Sequence, residues 1–177
     1  MINVRIRASN LTSSQTPKAN RAVEIAEKAI NSDKFKEKIL SYNFSDVRIF
    51  LNDGATSSDL TNSEIYRIIS EGIEVGSNPD RSIDLDIKIY KKLFTSAIGY
   101  TKDGVIYTRD KFFYGSEISE LAGHWIHEWL HTAGFIHDFR RTQRRTGSVP
   151  YAVGEIVAEL GAKIDIEESQ TLVVDRV

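Results

Sequence analysis

All four histidines of this 177-residue chain fall between positions 124 and 137. Residues 127–137 read His-Glu-Trp-Leu-His-Thr-Ala-Gly-Phe-Ile-His, a spacing written HExxHxxGxxH. No other feature of the sequence restricts the fold as much. His127 and His131 are four residues apart, so on a helix they stand about 40° apart around the axis and one turn apart along it. Two imidazoles so placed can grip one ion. Glu128 leaves the same helix about 100° from His127. That direction is awkward for a ligand but suits a group that holds a water at the metal. Gly134 follows within one turn, where a helix that must stop and reverse commonly places glycine in the left-handed conformation. The reversal returns His137 as a third ligand. Three protein ligands with one open position are the arrangement of catalytic zinc, whereas structural zinc usually has four protein ligands. The chain is therefore expected to build a helix, a tight turn and a return segment around Zn2+ held by His127, His131 and His137.

Composition narrows the donors and the partners. There is no cysteine, which excludes disulfides, thiol catalysis and a thiolate-ligated zinc. A transition-metal site must then use histidine or carboxylate. The net charge is −2, so no global field draws in nucleic acid or an anionic membrane, and neither is expected as a partner. No run approaches the ~18 apolar residues of a membrane span. The opening MINVRIRASN alternates apolar and polar residues and lacks the apolar stretch of a signal peptide. A cytoplasmic location is the expectation if the chain is complete.

The remaining pattern reads as one α/β domain over 1–177. Residues 2–7 alternate as a strand, and Pro17 opens a helix with Ala22, Val23, Ala26, Ala29 and Ile30 on one stripe. Ser32 caps a short second helix. A strand over Val47–Leu51 is expected to end at Asn52-Asp53-Gly54. Thr61 and Glu64 have capping-box spacing ahead of a third helix. Ile83, Leu85, Ile87 and Ile89 alternate strictly with polar residues, the clearest strand in the chain. Apolar runs at 98–101 and 105–108 flank Lys102-Asp103-Gly104 as a hairpin. A helix is expected from about Ser116 to Ala133, then an irregular basic segment, then a last helix over roughly Val153–Ile164. The last ~10 residues are expected to form a loose tail. At 100° per residue the motif helix gathers Ile118, Leu121, Trp125, Trp129 and Ala133 on one side and His124, His127 and His131 opposite, one stripe for the core and one for a cleft.

The chemistry follows from the donor set. Zinc lowers the pKa of a bound water from about 15.7 to about 7 and polarises a substrate carbonyl. Glu128 is expected to activate that water by taking its proton, and then to protonate the leaving amine.

At these residues the sequence resembles the metzincin metallopeptidases. The resemblance implies a zincin-like fold: a twisted mixed sheet with one antiparallel edge strand, an active-site helix and a C-terminal helix. It makes the run near 98–101 the edge strand and 105–108 the strand leading to the active-site helix. It implies a polypeptide substrate bound extended along that edge, and hence a zinc-dependent endopeptidase. One departure stands out. Metzincins carry a tight turn with a methionine beneath the zinc, and the only methionine here is Met1. Ser148-Val149-Pro150-Tyr151 occupies the place of that turn. Some metzincins have a tyrosine near the metal after the methionine, and Tyr151 is similarly a candidate to ligate zinc or stabilise an oxyanion.

Other residues leave alternatives open. Glu155 and Glu159 compete with His137 as third ligand, in the manner of gluzincins. His124 lies one turn before His127 and can be a structural or substrate-contacting group, with Glu120 placed to orient it. Arg140, Arg141, Arg144 and Arg145 form either a solvated loop or a seat for acidic substrate residues. A domain that holds zinc without hydrolysis, acting as a binding module, is the alternative from another functional class.

Overall fold

A computed structural model describes residues 1–51, 56–92 and 97–174. The elements in chain order are β1 (Asn3–Ser9), α1 (Thr16–Ile30), α2 (Asp33–Ser41), β2 (Ile49–Phe50), β3 (Thr56–Ser57), α3 (Asn62–Glu71), β4 (Ser82–Tyr90), β5 (Gly99–Lys102), β6 (Val105–Arg109), α4 (Asp110–Gly115), α5 (Ile118–Thr132), α6 (Gln143–Thr146) and α7 (Val149–Val174). The protein is a mixed α/β structure around a four-stranded mixed sheet of order β1-β4-β6-β5.

The alternation in β4 organises that sheet. Ile83, Leu85 and Ile87 are fully buried, while Asp84, Asp86 and Lys88 point to the other face, as the two-residue period of a strand requires. β1 and β6 pair with β4 in parallel, with Val4 opposite Ile83 and Ile106 opposite Ile87. On the outer face Arg5 and Arg7 meet Asp84 and Asp86, each at 2.7 Å. Such exposed pairs add little stability, but they match the register that the apolar face requires. The hairpin closes as the sequence expects. Asp103 and Gly104 have φ of 51° and 74°, the left-handed pair of a two-residue turn. β5 runs antiparallel to β6 and forms the edge.

α2 and α3 begin where side chains satisfy their free N–H groups. The Ser32 hydroxyl accepts from Phe35 N at 3.1 Å, and Thr61 with Glu64 forms a complete capping box. α5 lies between the sheet and the pair α1 and α7. It is therefore buried nearly all round, and the expected division into a core stripe and a cleft stripe does not hold. From Leu121 to His131 only His127 and His131 escape full burial.

Three expectations change in extent. The strand foreseen over Val47–Leu51 shortens to Ile49–Phe50, because Arg48 and Phe50 bond to the segment after α5: Phe50 N donates to Gly134 O at 2.8 Å and Ile136 N to Arg48 O at 3.0 Å. The turn foreseen at Asn52-Asp53-Gly54 lies outside the described residues. The helix foreseen from Ser116 starts at Ile118, behind a separate short α4. α7 begins earlier and continues to Val174, where a loose tail was expected. Arg21 reaches Asp165 and Glu168 at 2.8 and 2.7 Å, and Lys28 reaches Glu168 at 2.5 Å. Those ties to α1 support the extra turns. No helix among the described residues is long and apolar enough to cross a membrane.

Candidate metal centre

The rings of His127 and His131 leave α5 on the same side, with centroids 5.2 Å apart. The helix stops at Thr132, and Gly134 adopts φ 95°. A Cβ there would stand 2.6 Å from the Phe50 carbonyl oxygen and 2.8 Å from Val75 Cγ2. Conformation and space both demand glycine. The chain reverses along Arg48–Phe50 and delivers His137, whose ring centroid lies 5.3 Å from that of His127 and 4.9 Å from that of His131. One donor atom from each of the three rings lies within 4.8 Å of the others. Ligand nitrogens on one tetrahedral zinc stand about 3.3 Å apart, a contraction that side-chain torsions can supply.

The outward nitrogens also fit a metal. His131 Nδ1 lies 2.8 Å from the Phe135 carbonyl oxygen, and His137 Nδ1 lies 3.0 Å from that of Asp138. A carbonyl accepts, so the His131 and His137 rings place an N–H on these oxygens and leave the other nitrogen's lone pair for an ion. The backbone of Pro150 lies beside the His127 ring and opposes the effect of burial on it. Burial keeps all three rings from charging. It lowers His127 well below the usual value, His131 to about 4, and His137 more mildly. Neutral imidazole is the form that ligates.

A buried ion network fixes the return loop. Asp46 has no exposed side-chain surface, and Arg48 bonds it at 2.5 Å while Arg144 approaches at 3.4 Å. Burial alone would raise the Asp46 pKa, but the Arg48 bonds and the Arg144 charge outweigh it and hold it low. Arg48 also grips Asp138, next to the third imidazole, at 2.6 Å. The Asp46 carbonyl accepts from Val149 N at 3.1 Å. Asp46 and Arg48 together thus join the approach to β2, the His137 loop and the start of α7.

Glu128 is 5% exposed. Its Oε2 lies 2.9 Å from Thr101 Oγ1 on β5, and its Oε1 lies 3.8 Å from His124 Nδ1. Burial raises its pKa to about 7, opposed in part by the Thr101 bond. His124 does not join the three-ring group. Its ring packs beneath β5 so closely that a Cβ at Gly99 would lie 2.5 Å from Nε2, and burial pushes its pKa to about 3. Thr108 Oγ1 accepts from Trp125 Nε1 at 3.0 Å and lies 3.4 Å from His124 Nε2. Glu120 does not orient His124 as the sequence reading proposed. It is exposed and accepts from the Glu117 backbone N–H at 3.0 Å, as part of the cap of α5.

These pKa directions set a pH dependence for the metal-free protein. The unfolded chain takes up histidine protons as the pH falls through about 6.5. The folded chain resists until much lower, so the imidazoles' contribution is complete above about 6.5 and is lost below it. Glu128 acts in the opposite sense, because the folded carboxyl protonates near 7 and the unfolded one only near 4.5. Four lowered imidazoles outweigh one raised carboxyl. The melting temperature of the metal-free protein should fall steadily from pH 7 to about pH 5. A flat profile by calorimetry would contradict the burial of these rings.

Tyr151 stands at the centre. Its ring centroid is 4.4 Å from that of His127 and 4.9 Å from that of His137. The Arg145 guanidinium donates to its hydroxyl and also to the Phe139 carbonyl at 2.8 Å. Glu155 and Glu159 are both exposed, and Glu159 pairs with Lys38 and Lys163 at 2.9 and 2.8 Å. Neither belongs to the three-ring group.

No protein-family model, no curated protein and no solved structure matches this chain. The functional reading therefore rests on the residues themselves. Thr101 and the Asp46–Arg48–Asp138 network escaped the sequence reading. Thr101 had a signal, since hairpin alternation puts it on the face opposite Tyr100, towards the helices. The network had none, because it joins segments far apart in sequence.

Proposed function

We propose that the protein is a zinc-dependent endopeptidase with a zincin-like, metzincin-type architecture, its ion held by His127, His131 and His137. The observation that carries this reading is the convergence of three neutral imidazoles, two of which, His131 and His137, commit a ring N–H to a backbone carbonyl. An all-imidazole set of three suits zinc with one position left open. When bound, zinc supplies a Lewis acid that polarises a carbonyl and makes water nucleophilic near neutral pH.

The chain's own groups do the rest. Glu128 takes the proton of the attacking water and returns it to the leaving amine, and its raised pKa suits a group that must both accept and donate near neutrality. In its bond to Arg145 the Tyr151 oxygen accepts, so the phenol O–H is not spent there and can donate to a developing oxyanion. β5 is the end strand of the sheet and touches α5 through Thr101, so an extended polypeptide can add to its free edge. The Ser148–Tyr151 segment stands in for the methionine turn: the Pro150 backbone lies beside His127 and the Tyr151 ring floors two imidazoles.

Metal analysis paired with digestion of a peptide library tests the reading. One zinc per chain and discrete cleavage sites are expected, with activity lost to a chelator and restored by zinc. His131→Ala should lose both metal and activity. Undiminished cleavage after complete metal removal would overturn the proposal.

A further inference from the structure

The two oxygens of the Glu128 carboxyl have different surroundings. Oε2 has one hydrogen-bond partner among the described residues, the Thr101 hydroxyl at 2.9 Å. The same hydroxyl lies 2.9 Å from the Glu128 backbone carbonyl, so it spans the side chain and main chain of one residue. Oε1 has no hydrogen-bond partner among the described residues. His124 Nδ1, its nearest polar neighbour of note, stands at 3.8 Å, beyond bonding distance. That ring is kept neutral by burial and is fixed by Thr108 and the close backbone of Gly99. It therefore fills the space beside Oε1.

We infer that Thr101 is a positioning residue that anchors the Glu128 carboxyl through Oε2 and leaves Oε1 as the oxygen without a partner among the described residues. This rests on the role proposed above for Glu128. The hydroxyl stands 2.9 Å from both Oε2 and the Glu128 backbone carbonyl, so it ties the side chain to its own main chain and limits its rotation. A hydroxyl on the edge strand also links the carboxyl to the strand proposed to carry substrate, so both share one rigid frame.

Thr101→Val keeps the shape and removes the bond; Thr101→Ser keeps the hydroxyl and removes a methyl. With zinc-loaded protein and a cleavable peptide, the valine variant should lose roughly 10- to 100-fold in kcat, with KM and zinc content unchanged. The serine variant should recover most of that loss. Equal loss in both would assign the effect to packing and overturn the inference, as would a valine variant within about twofold of wild type. A cycle on the metal-free protein reads the same contact without turnover. Thr101→Val should lower the melting temperature more in the Glu128 background than in Glu128→Leu, where only the bond to the backbone carbonyl of residue 128 remains to be lost. Additive shifts would overturn the inference even if the wild type cleaves peptide. If the wild type cleaves none, the endopeptidase reading fails while this cycle still decides whether Thr101 holds Glu128.

Discussion

Glu128→Gln should leave the zinc content at the wild-type level and lower kcat by about 10²- to 10⁴-fold, the span of a general acid–base group. The two side chains are nearly isosteric, and the glutamine carbonyl can still accept the Thr101 hydroxyl that bonds Oε2 at 2.9 Å. Glu128 is outside the group of three imidazoles that converge, so ligation does not depend on it. Burial is also no obstacle, since a neutral amide is less costly to desolvate than a carboxylate. What disappears is the ability to take and return a proton. KM should change little, because the loss falls on the transition state. In the wild type the rate should fall as the pH drops, because only the carboxylate accepts. The acid limb should lie below the value of about 7 that the metal-free carboxyl has, since a bound cation favours the ionised form. Zinc analysis, kcat and KM on one peptide would check all of this. A module that merely holds zinc would show no difference between the two proteins, and full activity in the glutamine variant would remove Glu128 from its assigned role.

What the sequence made legible, and what it hid, divides by the range of the interactions involved. The spacing of His127 and His131, the glycine stop at 134 and the alternation of β4 are local, because helical and extended periods act over a few residues. The Asp103-Gly104 turn is also local, and so is the antiparallel placing of β5 beside β6 that follows from it. The return of His137 was legible as a spacing, but its fixing was not. That depends on Arg48 reaching Asp138 across 90 residues and on the Asp46 carbonyl meeting Val149. Nor could periodicity reveal that α5 would be covered on nearly every side. A helical wheel gives directions but not how many neighbours arrive. His124 shows the difference. The wheel placed it with His127 and His131, yet β5 covers it at Gly99, and only the other two rings converge with His137. Glu120 was misjudged for the opposite reason. Its nearest polar partner was not a histidine one turn away but the free N–H of Glu117 at the helix start, and unsatisfied N-terminal donors compete strongly for such a carboxylate.

The second large effect should come from a residue with no polar atoms in its side chain. Gly123 of α5 and Gly154 of α7 face each other where the two helices cross. A Cβ on Gly123 would fall inside contact distance of the Gly154 carbonyl oxygen and 2.9 Å from Ala158 Cβ, and one on Gly154 would lie 3.1 Å from His127 Cβ. The contact is backbone against backbone, so no side-chain rotation relieves it and the helices must move apart. For Gly123→Ala two terms compete. Helix propensity favours alanine by about 1 kcal/mol, while overpacking a close interface costs about 1–3 kcal/mol. Because the added methyl meets main chain, the cost should win modestly. For Gly123→Val the clash grows and the propensity gain shrinks, so the loss should reach about 3 kcal/mol and lower the melting temperature by on the order of 10 °C. The consequence reaches the metal. Displacing the start of α7 withdraws the Pro150 backbone that lies beside His127 and the Tyr151 ring that packs on His127 and His137. Zinc affinity should therefore fall by about 10- to 100-fold, as for other groups that orient metal ligands. Gly115→Ala is the control, since a Cβ there meets nothing within 4 Å, and it should leave both stability and zinc affinity intact. Calorimetry and zinc titration of the three variants would decide the matter. A Gly123→Val protein as stable as wild type would mean the helices do not cross this closely, and with that the placement of Pro150 and Tyr151 at the centre would lose its support.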